Sequence, residues 1–399
     1  MSRFFKLGWK LLILCILLLA ACHKSDPGVK PRTVLIYMAA DNSLNNDASD
    51  NIYQMLQGMS EMNGRVVIYL DQVNDKPRLL TMHKEVVVDP VILDTVVIDT
   101  LKTYEEENSA SPEVLNRVIS ETQALFPAGS YGLILWSHGM SWLPENYSFP
   151  GAYSLQRTTG EVPRTKYFGE DWHSGGDAGK YYMSIEELAR AIPDQTFDFI
   201  LFDACFMSSI EVLYELRSKA DYLIASPAEV VADGFPYNKI MSHLWGDEYE
   251  LKLMCEAFYN YYNAHPKGGQ WQSATVAMIR TAELEELMAQ TRNILQGKME
   301  SVVSGGYSDV WSYPLSTSLL PDVFYDFREY IRKVGNGTQL EAFEKQLEKT
   351  VIYKKATSSL FAKEIPGDKY SGITTYVPQQ QWSGMNNVYR TLSWAEAVY

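Results

Sequence analysis

An α/β protein with a mostly parallel sheet flanked by helices, followed by a helix-rich C-terminal subdomain, is what this 399-residue sequence predicts. Three observations point there. Through the first 237 positions, short apolar runs rich in Val, Ile, Leu and Phe alternate with amphipathic helical patterns, the order of a wound parallel sheet. Beyond Tyr237 long helical periodicities take over. No Pro/Gly-rich linker, repeat or low-complexity tract separates the two parts, so the second packs on the first.

Residues 34–38 read as the first strand, a helical pattern starts near Asp47 and continues through 51–59, and 66–70 is a second strand. Residues 112–126 are helical. The apolar run Tyr131-Gly132-Leu133-Ile134-Leu135-Trp136-Ser137 then enters His138-Gly139. Ser184-Ile185-Glu186-Glu187 is a capping box opening a helix to residue 192. Phe197-Asp198-Phe199-Ile200-Leu201-Phe202-Asp203-Ala204 is the next buried strand and stops on Cys205; residues 206–216 have helical spacing, and 222–225 form another strand. Right-handed crossovers connect such strands. In the C-terminal part, helical stretches at 251–262, 282–302, 323–334 and 340–351 surround strand-like pieces at 274–279 and 373–377. The division is a core over 33–237 and a subdomain over 238–399 packed on it.

Parallel sheets place reactive and ligand-binding groups at the carboxyl ends of their strands. A histidine after an apolar run is more often structural, and a lone cysteine is usually a small core hydrophobe. Two strand ends that each carry one of them are a different matter: thiol and imidazole then share one crevice as nucleophile and base. Gly139 lets the chain turn sharply after His138. The helical pattern after Cys205 sets the sulfur near a helix N-terminus, which favours the thiolate.

The His138-Gly139 and Asp203-Ala204-Cys205 strand ends, with the opening Val34-Leu35-Ile36-Tyr37-Met38-Ala39-Ala40-Asp41-Asn42, resemble the clostripain family of cysteine peptidases. The resemblance runs from about Thr33 to Tyr237. It implies a caspase-like fold, cleavage after Arg or Lys, and in several members maturation by self-cutting. By matching positions, His138 resembles the general base, Cys205 the nucleophile, and Asp203 the acid that receives a basic P1 side chain.

Peptide hydrolysis suits these residue types. A thiolate attacks the carbonyl, and a placed imidazole protonates the departing amine. The oxyanion needs donors, assigned to the backbone N–H groups of Gly139 and Cys205. The sequence names no third group to orient His138, so the expectation is a dyad. A guanidinium pairs with a carboxylate through two parallel bonds, so Asp203, two residues before the sulfur, is well placed for specificity; its other reading is a helix cap or loop anchor. Glu229 and Asp233, in the segment after the strand at 222–225, resemble contributors to the same pocket, with solvated loop acids as the alternative.

The N-terminal segment sets the compartment. Basic Arg3, Lys6 and Lys10 precede or begin an apolar stretch at 11–21, ending Leu19-Ala20-Ala21-Cys22. This is a secretory signal over 1–21. Its ending resembles a bacterial lipobox, which implies lipid on Cys22, a bacterial cell-envelope location and membrane attachment through that lipid. Residues 22–32 are a tether of ~33 Å at full extension. Cys205 and Cys255 are the two other cysteines of the mature chain, too few for a disulfide scaffold. A net charge of −14 disfavours nucleic acid and attracts cationic polypeptides, and 46% hydrophobic residues with nine Trp suffice for a large core.

Between His138 and the helix at 184–192 lies a long insertion, 140–182, holding Arg157, Arg164, Lys166 and Lys180. It reads either as a maturation site or as an intact specificity loop. No cofactor is required by this chemistry. Asp41, His138, Asp203 and Cys205 have no zinc-type spacing; Asp41 to Asp50 is dense in oxygen ligands, which keeps Ca2+ open, although the glycine of an EF-type loop is missing. The competing functional class is a catalytically inactive surface lipoprotein that binds peptides.

Overall fold

The structure, a computed structural model, describes residues 32–59, 64–88, 92–143, 169–172, 181–314, 323–361 and 363–399. Cys22, the leader, most of the tether, His173 and the basic residues Arg157, Arg164, Lys166 and Lys180 lie outside the described residues.

The centre is a nine-stranded sheet. Its strands in chain order are β1 Arg32–Ala40, β2 Gly64–Gln72, β3 Arg78–Val88, β4 Ile92–Thr103, β5 Tyr131–Trp136, β6 Phe197–Asp203, β7 Ala220–Ala225, β8 Thr275–Arg280 and, after the short β9 Phe324–Asp326, β10 Val351–Ala356. Their spatial order is β10-β8-β7-β6-β5-β1-β2-β3-β4. The five central strands, β7 to β2, run parallel, and the flanking ones are antiparallel. The expected α/β class and mostly parallel core are therefore observed. Val34 to Ala40 is buried at every position, as a strand covered on both faces must be. Gly132 on β5 gives Phe199 of β6 its place, since a Cβ there would stand 2.5 Å from the Phe199 ring.

Helices α1 Asn45–Gly58, α2 Pro112–Leu125, α3 Ile185–Ala191 and α4 Ile210–Glu215 connect the strands. The capping box at Ser184 forms as its sequence requires, and Ser111 caps α2. Four segments depart from the sequence reading. Residues 78–88 and 92–103 form the long antiparallel pair β3–β4, which no expected element covered. The helical pattern at 282–302 breaks at Gly297, whose φ of +73° ends the helix Leu284–Leu295 before Met299–Val303 begins. The pattern at 323–334 is split by Asp326, which caps the helix Phe327–Val334 and leaves β9 before it. The helix expected at 206 starts at Ile210, four residues later.

Residues beyond 237 contribute β8 and β10 to the main sheet and a second, two-stranded sheet in which β9 pairs with Thr374–Tyr376. That small sheet reaches the Cys205 turn: Thr374 N donates to Ser208 O at 3.0 Å, and Phe206 stacks on Phe324 with ring centres 4.4 Å apart. Glu211 on α4 is fully buried and accepts from Thr375 Oγ1 (2.8 Å) and Tyr376 N (3.0 Å). Burial pushes its carboxyl up to about 7 against the pull of those bonds. A carboxyl raised in the folded state binds its proton there more tightly than in the unfolded chain. Its contribution is therefore full below its unfolded value and is lost as pH rises to about 7, on the order of 3 kcal/mol. Thermal melts should show wild type losing stability between pH 4.5 and about 7, and Glu211→Gln flattening that slope; identical slopes would refute the assignment.

Candidate active site

The sheet changes its winding direction at β1: β2 lies on one side and β5, β6 and β7 follow on the other. Such a reversal opens a crevice outside the carboxyl ends of the strands. Three chain exits meet there. Asp41, Asn42 and Ser43 follow β1, His138 follows β5, and Cys205 follows β6.

The register sets the distance between the last two. β5 and β6 pair in parallel through Trp136↔Asp203. Both chains leave the ladder there, and His138 and Cys205 are each two residues on, on neighbouring strands that lie ~4.8 Å apart. The sulfur does not sit at a helix N-terminus, which corrects the sequence reading: the turn at 205–208 intervenes, and Ser209 caps α4. The Val230 backbone contacts it instead: the N–H donates to Sγ at 3.2 Å and the carbonyl oxygen stands 3.7 Å from it. An N–H aimed at sulfur favours negative charge on it. Phe206, directly after the nucleophile candidate, is held at φ +59°, a left-handed conformation unfavourable for a bulky residue. Its N–H bond to Ala228 O (2.9 Å) and the Phe324 stack hold it there.

His138 is 1% exposed and turns Nε2 toward Ser43 Oγ at 3.0 Å and Glu170 Oε2 at 3.6 Å. Neither partner carries a motif; Glu170 lies 32 positions downstream, inside the 140–182 insertion. Gly139 is buried on the turn after His138. Cys205 is also 1% exposed, so both side chains are covered. Cys255, by contrast, lies inside the helix Glu248–Asn263, and burial pushes its thiol far up.

Asp203 is fully buried at the end of β6, where its Oδ2 accepts from Phe235 N and Tyr237 OH, both at 3.1 Å. It therefore draws the 226–237 segment over the sheet edge; Ser209 fills the helix-cap role. Glu229 is buried beside Val230, so it is no solvated loop acid. Asp233 is partly exposed and faces His265 Nε2 at 3.5 Å and Tyr261 OH at 3.4 Å. On the other side of β1, Asp71 is the next-to-last residue of β2, with its carboxyl pushed well up by burial and by the negative charge of Asp171. The Asp41 to Asp50 stretch mostly forms the first turns of α1, so its side chains fan outward instead of converging like a loop. Among the described residues no group of three or more His, Cys, Asp or Glu is arranged to hold a metal ion.

Fold and site together define an α/β protein with a thiol and an imidazole at adjacent strand ends. The chain belongs to the Peptidase_C11 clostripain family, whose model matches residues 36–397, and it carries that family's caspase-like fold. It is similar to an inactive zymogen C11 protease from Parabacteroides distasonis, at 34% identity and a TM-score of 0.77 over 94% of this chain and 99% of that one. A secreted C11 cysteine protease from Bacteroides thetaiotaomicron, solved in complex with an irreversible peptide inhibitor, is similar at 28% identity and a TM-score of 0.76, over 92% and 99%. Clostripain from Hathewaya histolytica is 26% identical over 238 residues, 53% of this chain and 42% of that protein. The chain thus spans less than half of that curated relative.

Proposed function

We propose that this protein is a cysteine endopeptidase that cleaves after Arg or Lys through a His138–Cys205 dyad. The observation that carries the reading is the Trp136↔Asp203 register, which delivers the two side chains to one strand-end crevice. The Cys205 thiolate attacks the scissile carbonyl, and N–H groups of Gly139 and Cys205 receive the oxyanion. With Nε2 turned to Ser43 and Glu170, Nδ1 is the nitrogen that protonates the leaving amine. Water, deprotonated by His138, then hydrolyses the thioester. Asp203, with Glu229 and Asp233 on the neighbouring segment, receives the basic P1 side chain.

The chain acts after a cut in the 140–182 stretch. Burial of both reacting groups in the uncut form supports this, as does the likeness to a protein described as an inactive zymogen. Lipid on Cys22 tethers it to a bacterial envelope membrane, a reading supported by Leu19-Ala20-Ala21-Cys22. No described helix is long and apolar enough to cross a membrane.

Digesting a peptide library with the processed chain tests the proposal. Cuts after Arg or Lys that vanish on pretreatment with iodoacetamide are the expected outcome. Cuts after apolar or acidic residues would overturn the pocket assignment, and indifference to alkylation would overturn the thiol.

A further inference from the structure

We infer that Glu170 is a positioning residue for His138, so that the dyad proposed above operates as a Cys205–His138–Glu170 triad with Ser43 completing the seat of the ring. The inference rests on that catalytic reading and adds a residue to it. Glu170 is 4% exposed and its carboxylate reaches Trp172 and His138: Oε1 accepts from Trp172 Nε1 at 2.7 Å, and Oε2 stands 3.6 Å from His138 Nε2. A buried carboxylate beside an imidazole fixes the ring orientation and stabilises the imidazolium, the form that the leaving amine needs. Ser43 Oγ, 3.0 Å from the same nitrogen, holds the ring from the β1 side. Glu170 is a charged group facing the ring from the insertion, and Cys205 leaves the neighbouring strand β6 at the same register as His138 leaves β5.

The segment carrying Glu170 is fastened to the core residue by residue. Gly169 enters it at φ +74°, a conformation suited to glycine. Asn42 Nδ2 donates to Glu170 O at 2.7 Å, and Trp172 N donates to Asp41 O at 2.8 Å. Asp171 Oδ2 accepts from Ser109 N (2.6 Å) and Ser109 Oγ (2.8 Å), and Asp171 exchanges backbone bonds with Tyr181. All these anchors lie outside residues 144–168. A maturation cut N-terminal of Gly169 therefore leaves Glu170 seated on His138.

Full-length Glu170→Gln tests this in two independent ways. In the processed enzyme, kcat should fall by about 10²-fold with KM within about threefold, and the alkaline limb of the pH–kcat profile should move to lower pH, because the imidazolium has lost its counter-charge. In histidine-labelled chain carrying Cys205→Ala, the NMR titration midpoint of His138 should drop by about one pH unit on adding Glu170→Gln. Ser43→Ala removes no charge, so it should lower kcat while leaving that midpoint in place. An unmoved midpoint in Glu170→Gln, or an unchanged kcat, would overturn the inference. A shifted midpoint in a protein that hydrolyses no peptide would uphold it and sink the endopeptidase reading instead.

Discussion

Cys205→Ala is expected to bring peptide cleavage to ~10⁻⁴ of the wild-type rate or below and to leave the chain uncut. The reason is chemical: no other side chain described at this crevice offers a nucleophile comparable to the thiol proposed for that role, whose Sγ accepts from Val230 N–H. The substitution also has a structural side. Cys205 is buried, and losing sulfur removes the acceptor of that N–H, at a cost of about 1–3 kcal/mol for an orphaned donor. Cys205→Ser separates the two effects, since its hydroxyl keeps an acceptor near Val230 N while lacking thiolate reactivity. Fluorogenic Arg peptides and intact-mass measurement read rate and processing, and a thermal melt reads stability. A serine variant as stable as wild type and equally inactive is the expected pair of results. Residual cleavage above a tenth of wild type in either variant would remove Cys205 from the chemistry.

The strands that carry the site were legible because they are buried on both faces. β1, β5 and β6 are each built on an apolar run (34–40, 131–136 and 199–202), and the polar residue that ends each run lies at the rim of the sheet. The β3–β4 pair carried a signal as well. Leu80 and Met82 alternate with Thr81 and His83 at the period of two expected of a strand, but the charges of Lys84 and Glu85 interrupt the apolar run. The helix start after Cys205 was not legible. Apolar spacing continues through 206–209, and it is Phe206's left-handed backbone, fixed by Ala228 and Phe324, that delays the helix to Ile210. β9 was hidden for a related reason, since its partner strand is some 50 positions away at Thr374–Tyr376. Glu170 and Ser43 were invisible because nothing local marks them. They become neighbours of His138 only when the insertion returns to the end of β1 and hydrogen-bonds to Asp41 and Asn42.

The two ends of the chain are interdependent at Cys205. The turn 205–208 is gripped by Ser226 and Ala228 on one side and by Gly372 and Thr374 on the other: Ser208 N donates to Ser226 O, Ser208 Oγ to Gly372 O, and Thr374 N to Ser208 O. Backbone strain at Phe206 persists because these contacts over-determine it. The region beyond residue 237 therefore helps to hold the sulfur in place as well as covering the sheet.

Asp203→Asn should lower kcat/KM on Arg peptides by about 10²- to 10³-fold while sparing the reactivity of the thiol. Removing one member of a buried charge pair costs about 2–5 kcal/mol, and the guanidinium of a P1 Arg would face an amide in place of a carboxylate. The fold should tolerate the change. Asparagine is nearly isosteric, and its amide oxygen can take over the bonds that Oδ2 accepts from Phe235 N and Tyr237 OH. Iodoacetamide alkylates Cys205 without using the P1 pocket, so equal alkylation rates in variant and wild-type chains cut to the same extent show that the thiol is intact. A loss shared equally by Arg and apolar P1 peptides would mean that Asp203 serves only to hold the 226–237 segment. A loss confined to Arg and Lys peptides, with alkylation unchanged, assigns the buried carboxylate to substrate recognition, because only that role distinguishes the charge of the substrate.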